Sequence, residues 1–313
     1  MPTLNTNMQG KVCIVTGANS GIGKATALGL AQMGATVVMV SRNKVKGEEA
    51  QNEIKEKSGN DAIDLMLADL SSQESIRQLA ENFQQHYEQL HVLINNAGVV
   101  NLTRRETSDE YEMMFAVNYL APFLLTNLLL ERLKASAPAR IVNVSSDSHE
   151  AGYIKMDDLQ SEKQYKFLRS YGQSKLALVL FTYELARRLQ GTGVTANCLH
   201  PGFVATNIGQ SGVGPVGRSI VKLIFSRLGI SPEEGAKTSL YLASSPEIEG
   251  VTGKYFAKSI PVRSAPISYD ETLQRQLWEE SANLVNLSIP TPATLQTVSD
   301  QVVPETSVHP QVW

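Results

Sequence analysis

Apolar residues in this chain gather in short runs at regular spacing, separated by longer stretches in which they recur every three or four positions. The short runs are KVCIVT (11–16), TVVMVS (36–41), AIDLMLA (62–68), HVLINN (91–96), RIVNVSS (140–146) and VTANCLH (194–200). Each is bounded by polar residues or glycine, and most are rich in β-branched side chains. Such runs read as strands buried on both faces. Segments of helical period lie between them. One covers 21–34 and stops at Gly34, a residue suited to the left-handed turn that ends helices. A second covers 72–89, where Ser71 or Ser72 can cap and Glu74 can answer, as in a capping box. The stretches 109–134 and 170–190 are longer still. Strands alternating with helices predict a doubly wound α/β fold, a parallel sheet with right-handed crossovers and helices on both faces.

Two regions depart from the pattern. Residues 205–230 mix glycines with an amphipathic stretch and follow a strand end, the edge where open α/β sheets place ligands. A mobile substrate lid over about 203–230 is expected. Within it, SIVKLIFSRLGI (219–230) can line an apolar tunnel, touch a membrane surface, or pack as an ordinary helix. The tail from Leu287 holds four of the 13 prolines and no Lys or Arg, so 287–313 is expected to be disordered. The rest, 1–286, has no internal repeat or linker and reads as one domain.

Composition narrows the function. The 313 residues are 42% hydrophobic, enough for a sizeable core, and the net charge of −3 argues against a nucleic-acid partner. The N-terminus is polar, and no run approaches the length of a membrane span. A soluble cytoplasmic protein is expected. Cys13 and Cys198 both sit in strand-like segments and read as buried thiols, and no Cys/His cluster has metal spacing.

TGANSGIG (16–23) follows the first strand and opens the first helix. A glycine turn there lets backbone approach a pyrophosphate, and the helix N-terminus offers N–H groups and a positive dipole end. The spacing of Gly17, Gly21 and Gly23 is G-x-x-x-G-x-G, which alone also suits a tight turn. The next strand ends in VSRNK with no carboxylate near. Arg42 suits a ribose 2′-phosphate, which favours NADP(H) over NAD; as a lone charge it also suits plain solvent. Asp69, before Leu70 at the third strand end, can reach an adenine or cap the next helix.

YGQSK sets Tyr171 and Lys175 at i and i+4, on one helix face. A neighbouring ammonium favours the phenolate, so the pair can form a proton donor and acceptor. NVSS adds Ser145 and Ser146 at the fifth strand end.

TGANSGIG, NNAG (95–98), Asn118, NVSS and YGQSK stand in the order and spacing of the short-chain dehydrogenase/reductase family, and the chain resembles that family from about residue 8 to 260. The resemblance implies a single Rossmann-type domain, a homodimer or homotetramer, and a nicotinamide cofactor. It implies Tyr171 as the acid/base, Lys175 lowering the Tyr171 pKa and binding the nicotinamide ribose, and Ser146, rather than Ser145, on the substrate oxygen. Asn118 would bend its helix and hold a relay water. Asn95, Ala97 and Gly98 would stabilise the central strand and border the adenosine. Ser20 and Ile22 would lie by the phosphates, with Asn19 nearer the adenosine. In HPGFVAT, Pro201, Gly202, Val204 and Thr206 would face the nicotinamide carboxamide.

The segment from DDLQ (157–160) into the second long helix, LHPGFVATNIG, and EGAKTSLYLASSPEIEGVTGKYF resemble the retinol dehydrogenase branch. That implies NADP-linked interconversion of a small hydrophobic alcohol and its aldehyde or ketone, retinal first among them. Two other readings stand beside it. One is a cofactor-binding sensor or scaffold, prompted by the long polar tail. The other is a light-dependent reductase of a pigment precursor, which shares the Tyr/Lys pair but uses further cysteines.

Overall fold

The computed structural model describes residues 7–202 and 230–288. Val204, Thr206, nearly all of the expected lid and most of the expected tail lie outside them. The elements run β1 (Val12–Thr16), α1 (Gly21–Gln32), β2 (Thr36–Ser41), α2 (Lys44–Ser58), β3 (Ile63–Leu67), α3 (Gln73–His86), β4 (Val92–Asn95) and α4 (Met113–Phe115). A π-helical turn (Ala116–Leu120) leads into α5 (Ala121–Leu128) and α6 (Leu130–Ala135). Then come β5 (Ala139–Val144), α7 (Phe167–Arg188), β6 (Val194–His200), α8 (Pro232–Ser244), β7 (Tyr255–Ala257), β8 (Ile260–Val262) and α9 (Glu271–Leu284).

Among the described residues the strands form one sheet, ordered β3-β2-β1-β4-β5-β6-β7-β8. All pairs are parallel except β7 with β8. The order reverses between β1 and β4, which opens a crevice beyond their carboxyl ends. Alternate side chains feed two cores. Ile14, Val38, Val40, Leu93 and Ile141 face the layer of α3, α5, α7 and α9. Cys13, Val15, Val37, Met39 and Ile94 face α1, α2 and α8. Both faces of the central strands are apolar, which is why those strands read as continuous apolar runs.

Local chemistry sets the helix ends. Ser72 caps α3 by accepting from the Ser75 N–H at 3.3 Å. Glu74 does not close the capping box; its carboxylate accepts from Gln78 instead, because with Ser72 as the cap the answering position falls on Ser75. The expected helix 109–134 starts only at Met113 and is interrupted at the π turn and at Leu129. The periodicity of the sequence runs straight through both breaks.

The longest helix is covered within the chain itself. In α7 every residue from Gly172 to Ala186 is buried within the single chain. The cover on that side is α9. Its Trp278 packs on Phe123 and Phe181, ring centroids 5.0 and 5.6 Å away, with the Arg188 guanidinium 4.4 Å from its ring centre. Tyr119 Oη and Ser281 Oγ are 2.6 Å apart, and Tyr111 Oη donates to the Leu284 carbonyl at 2.7 Å. The chain's own last helix thus covers apolar residues of both α5 and α7. Truncating this anchor should therefore be costly: Trp278→Ala is expected to lower stability by about 3–5 kcal/mol in urea unfolding. A loss near zero would mean that α9 is not part of the core.

Candidate active site

The glycine turn is built on a close backbone contact. A Cβ on Gly23 would stand 2.4 Å from both Asn96 Nδ2 and the Gly17 carbonyl oxygen, and one on Gly17 would meet the Ala97 Cα at 3.0 Å. Gly17 and Gly21 also have φ of +66° and +56°, which L side chains rarely adopt. Thr16, not singled out from sequence, locks the contact. Its hydroxyl donates to the Ile94 carbonyl and accepts from the Asn96 and Ala97 N–H groups at 2.9 and 3.0 Å. Asn96 returns a bond to the Thr16 carbonyl at 2.7 Å. Helix α1 starts directly above, with no acid in its first turn and no side-chain cap from the exposed Ser20. Its positive end is left for an anion. Asn19 is half-buried beside the turn. The Ile22 side chain packs on Ala236 of α8, so only its main chain faces the turn.

Beyond the ends of β2 and β3, Arg42 and Asp69 come together, Nη1 to Oδ2 at 3.7 Å, both well exposed. Asp69 Oδ1 also accepts from the Ser71 N–H and hydroxyl at 3.0 and 2.7 Å. Asp69 thus shapes the turn while Ser72 caps the helix. Leu70 and Ala97 border a crevice shared with Thr16 and Val117.

Asn95 points the other way. It is 2% exposed, and its amide donates to Thr126 and to Asn143, which donates to Thr182. It ties β4 to β5 and α5, and through Asn143 to α7, which is the strand-stabilising part of the sequence reading.

The remaining residues meet at the carboxyl end of β5. Ser145 is turned inward, donating to the Lys175 carbonyl at 2.9 Å, which leaves Ser146 half-buried at the edge. The Ser146 hydroxyl donates to Asp147 Oδ1 at 2.9 Å, accepts from the Ser148 N–H at 3.2 Å, and lies near enough to the Tyr171 phenol to act on its pKa. Lys175 is 4% exposed; its Nζ donates to the Val144 carbonyl at 3.0 Å and lies 5.8 Å from the Tyr171 ring centre. Gly98 is the neighbour on the β4 side. A Cβ there would sit 3.4 Å from both Lys175 Nζ and Asn118 Oδ1. Asn118 lies in the π turn, and its side chain is fully engaged: it accepts from the Val99 N–H at 2.7 Å and donates to the Val99 carbonyl and Ser174 Oγ at 3.0 Å each. It clamps the strand exit to α7. Pro201 and Gly202 close the far side at the end of β6, Gly202 with φ +85°.

Burial governs the electrostatics. It pushes the Tyr171 phenol above its ordinary value, with the Ser146 hydroxyl pulling down and Asp147 pushing up. The Lys175 Nζ, 5.8 Å from the ring centre, donates to the Val144 carbonyl. Burial also lowers Lys175 itself to about 8. Among the described residues no cluster could hold a metal, and no helix is long and apolar enough to cross a membrane.

This arrangement agrees with comparison to known proteins. The family profile described as short chain dehydrogenase matches residues 11–213, and the chain belongs to that family of oxidoreductases, whose members bind a nicotinamide dinucleotide. It is 47% identical to human retinol dehydrogenase 13 over 285 residues, 90% of this chain and 86% of that one. It is 44% identical to human polyprenol dehydrogenase, covering 88% and 86%. Among solved structures, an uncharacterised protein from Mycobacterium paratuberculosis superposes with a TM-score of 0.75 at 30% identity, over 93% of this chain and all of that one. A structure described as an NAD(P)-dependent gluconate 5-dehydrogenase from Beutenbergia cavernae, with NADP bound at low occupancy, superposes at 0.65 with 27% identity, over 81% and 97%.

The buried ammonium makes a testable statement about stability. Lys175 titrates at about 8 when folded against 10.5 in the free side chain, so the unfolded chain binds more protons between those values. Wild-type stability is expected to rise with pH through that window. Lys175→Met should remove this rise and add on the order of 2 kcal/mol at pH 7. Urea unfolding at pH 7 and pH 10 checks both, and a less stable mutant at pH 7 would show the ammonium to be net favourable.

Proposed function

We propose that the chain is an NADP(H)-dependent enzyme that interconverts a hydrophobic alcohol and its aldehyde or ketone. The observation that carries this is the meeting of Ser146, Tyr171 and Lys175 beside Gly98 and below the free end of α1. The residues present fit a dinucleotide. The open α1 end takes the pyrophosphate, Arg42 and Asp69 take the adenosine end, and glycine at 98 leaves room against Lys175 for the nicotinamide ribose. The exposed Arg42 guanidinium, with no acid at the β2 end, favours a 2′-phosphate. Retinol and polyprenol, the alcohols named in two relatives, are both isoprenoid primary alcohols; an alcohol of that kind is the substrate class the likeness favours, with retinal the first to try.

When bound, the nicotinamide supplies or accepts the hydride at the carbinol carbon. Tyr171 passes its phenolic proton to the carbonyl oxygen in reduction and takes it back in oxidation. Ser146 donates a hydrogen bond to the same oxygen and orients it. Lys175, charged at pH 7, holds the ribose. Because burial raises the Tyr171 pKa, the phenol is fully protonated at neutral pH and suited to reduction. Oxidation needs the phenolate, so alcohol turnover should climb through the alkaline range while aldehyde reduction stays flat near neutrality.

Steady-state assays with retinal test the reading. Tyr171→Phe should lower kcat by at least about a thousandfold; unchanged turnover would sink the mechanism. NADPH should be preferred over NADH, and Arg42→Asp should move the preference towards NADH. An Arg42→Asp enzyme with the wild-type preference would remove Arg42 from the cofactor site.

A further inference from the structure

Behind Ser146 lies a hydrogen-bonded cluster that the proposed reaction does not use. Ser146 leaves β5 with extended backbone, φ −155° and ψ 155°. Its carbonyl oxygen meets two side chains: His149 Nδ1 at 2.7 Å and Tyr255 Oη, which donates at 3.2 Å. His149 is wholly buried. On its other side Nε2 stands 3.1 Å from the Ala265 N–H. A main-chain N–H can only donate, so Nε2 must carry the lone pair. A ring that accepts there and stays neutral has its proton on Nδ1. Nδ1–H therefore donates to the Ser146 carbonyl, a tautomer assigned from the bonding pattern. Burial holds the ring in this neutral state.

The surroundings leave the turn little room. The Tyr255 ring packs on His149 on one side and His200 on the other, centroids 4.5 and 5.8 Å away. The turn itself is pressed against α7 one residue from Tyr171: a Cβ on Gly152 would stand 2.5 Å from the Gly172 carbonyl oxygen. Ser146 Oγ hangs on a backbone fixed from behind, donates to Asp147 Oδ1 at 2.9 Å, accepts from the Ser148 N–H at 3.2 Å, and faces Tyr171 in front.

We infer that His149 is a positioning residue: it acts with Tyr255 through the Ser146 carbonyl to hold the Ser146 hydroxyl against Tyr171 and the substrate oxygen. This rests on the role proposed for Ser146. It differs from a packing role because it depends on which ring nitrogen is replaced. His149→Asn keeps a donor at the δ position and loses the acceptor for Ala265. His149→Gln keeps the acceptor at the ε position and loses the donor to Ser146.

The test uses the full chain with retinal and NADPH, alongside thermal melts and NADPH titration by fluorescence. His149→Gln should lower kcat about tenfold, as expected for one lost hydrogen bond in the transition state, with NADPH affinity unchanged, and His149→Asn should stay within about twofold. On a Ser146→Ala background His149→Gln should add no further loss, since the two act in series. If His149→Gln does not fold, Tyr255→Phe removes the second donor with the ring kept, and its smaller kcat loss should likewise vanish on Ser146→Ala. Equal losses for Asn and Gln, or a full additional loss on the Ser146→Ala background, would overturn this inference alone. An unslowed Ser146→Ala enzyme would instead overturn the reading of Ser146 on which it rests.

Discussion

The site depends first on one contact, the crossing of backbone where β1 and β4 diverge. Gly17 and Gly23 approach each other and Asn96 so closely that no β-carbon fits. Thr16 pins the crossing by satisfying two N–H groups of the neighbouring strand exit. Three things follow from it. The α1 end is fixed over the crevice with its dipole unopposed. The β4 exit is drawn across so that Gly98 lies against Lys175. Val99 is brought to Asn118, which clamps it through both its N–H and its carbonyl. The candidate site groups on separate elements are thus registered to each other by main-chain packing, the stiffest linkage available.

The second constraint is the burial of α7. A helix carrying Tyr171 and Lys175 is held where neither side chain can hydrate freely. Both respond in the direction burial dictates: the phenol rises and the ammonium falls. Only the ammonium's shift costs the folded state at neutral pH, since the phenol is uncharged there in both states. Fixing α7 this firmly needs cover on its outer side, and α9 supplies it through Trp278, Ser281 and Leu284.

The six long strands were legible in the sequence because burial on both faces makes the central ones unbroken apolar runs, and VTANCLH matches β6 end to end. β7 and β8 were not; each has three residues, and Ile260 and Val262 are exposed, so no apolar signal marks them. α2 buries only Gly47, Ala50 and Ile54 and its sequence is dominated by charge. The site residues could be gathered because motif spacing survives folding. The partner of each side chain could not be read: the Asn95 amide goes to Asn143, and Lys175 Nζ to the Val144 carbonyl. Both depend on contacts made across the sheet, which no local pattern encodes. Thr16 and His149 escaped for the same reason. Their partners lie some 80 residues away for Thr16 and 116 for His149.

These long-range bonds give the C-terminal part of the described chain two tasks at once. Between β7 and α9 the main chain passes His149, where Ala265 fixes the ring from behind. One residue before that it meets Tyr183 of α7, whose hydroxyl lies 2.6 Å from Ser264 Oγ. A few residues later α9 closes over Phe123 and Phe181. The same stretch therefore holds the Ser146 turn and the helix that bears Tyr171. If the packing of α9 loosened, Ser146 and Tyr171 would lose a support together. Stability of the outer layer and alignment of the inner site are coupled here through a few named bonds, so changes far from the crevice should reach its geometry along this path rather than through the glycine turn on the opposite face.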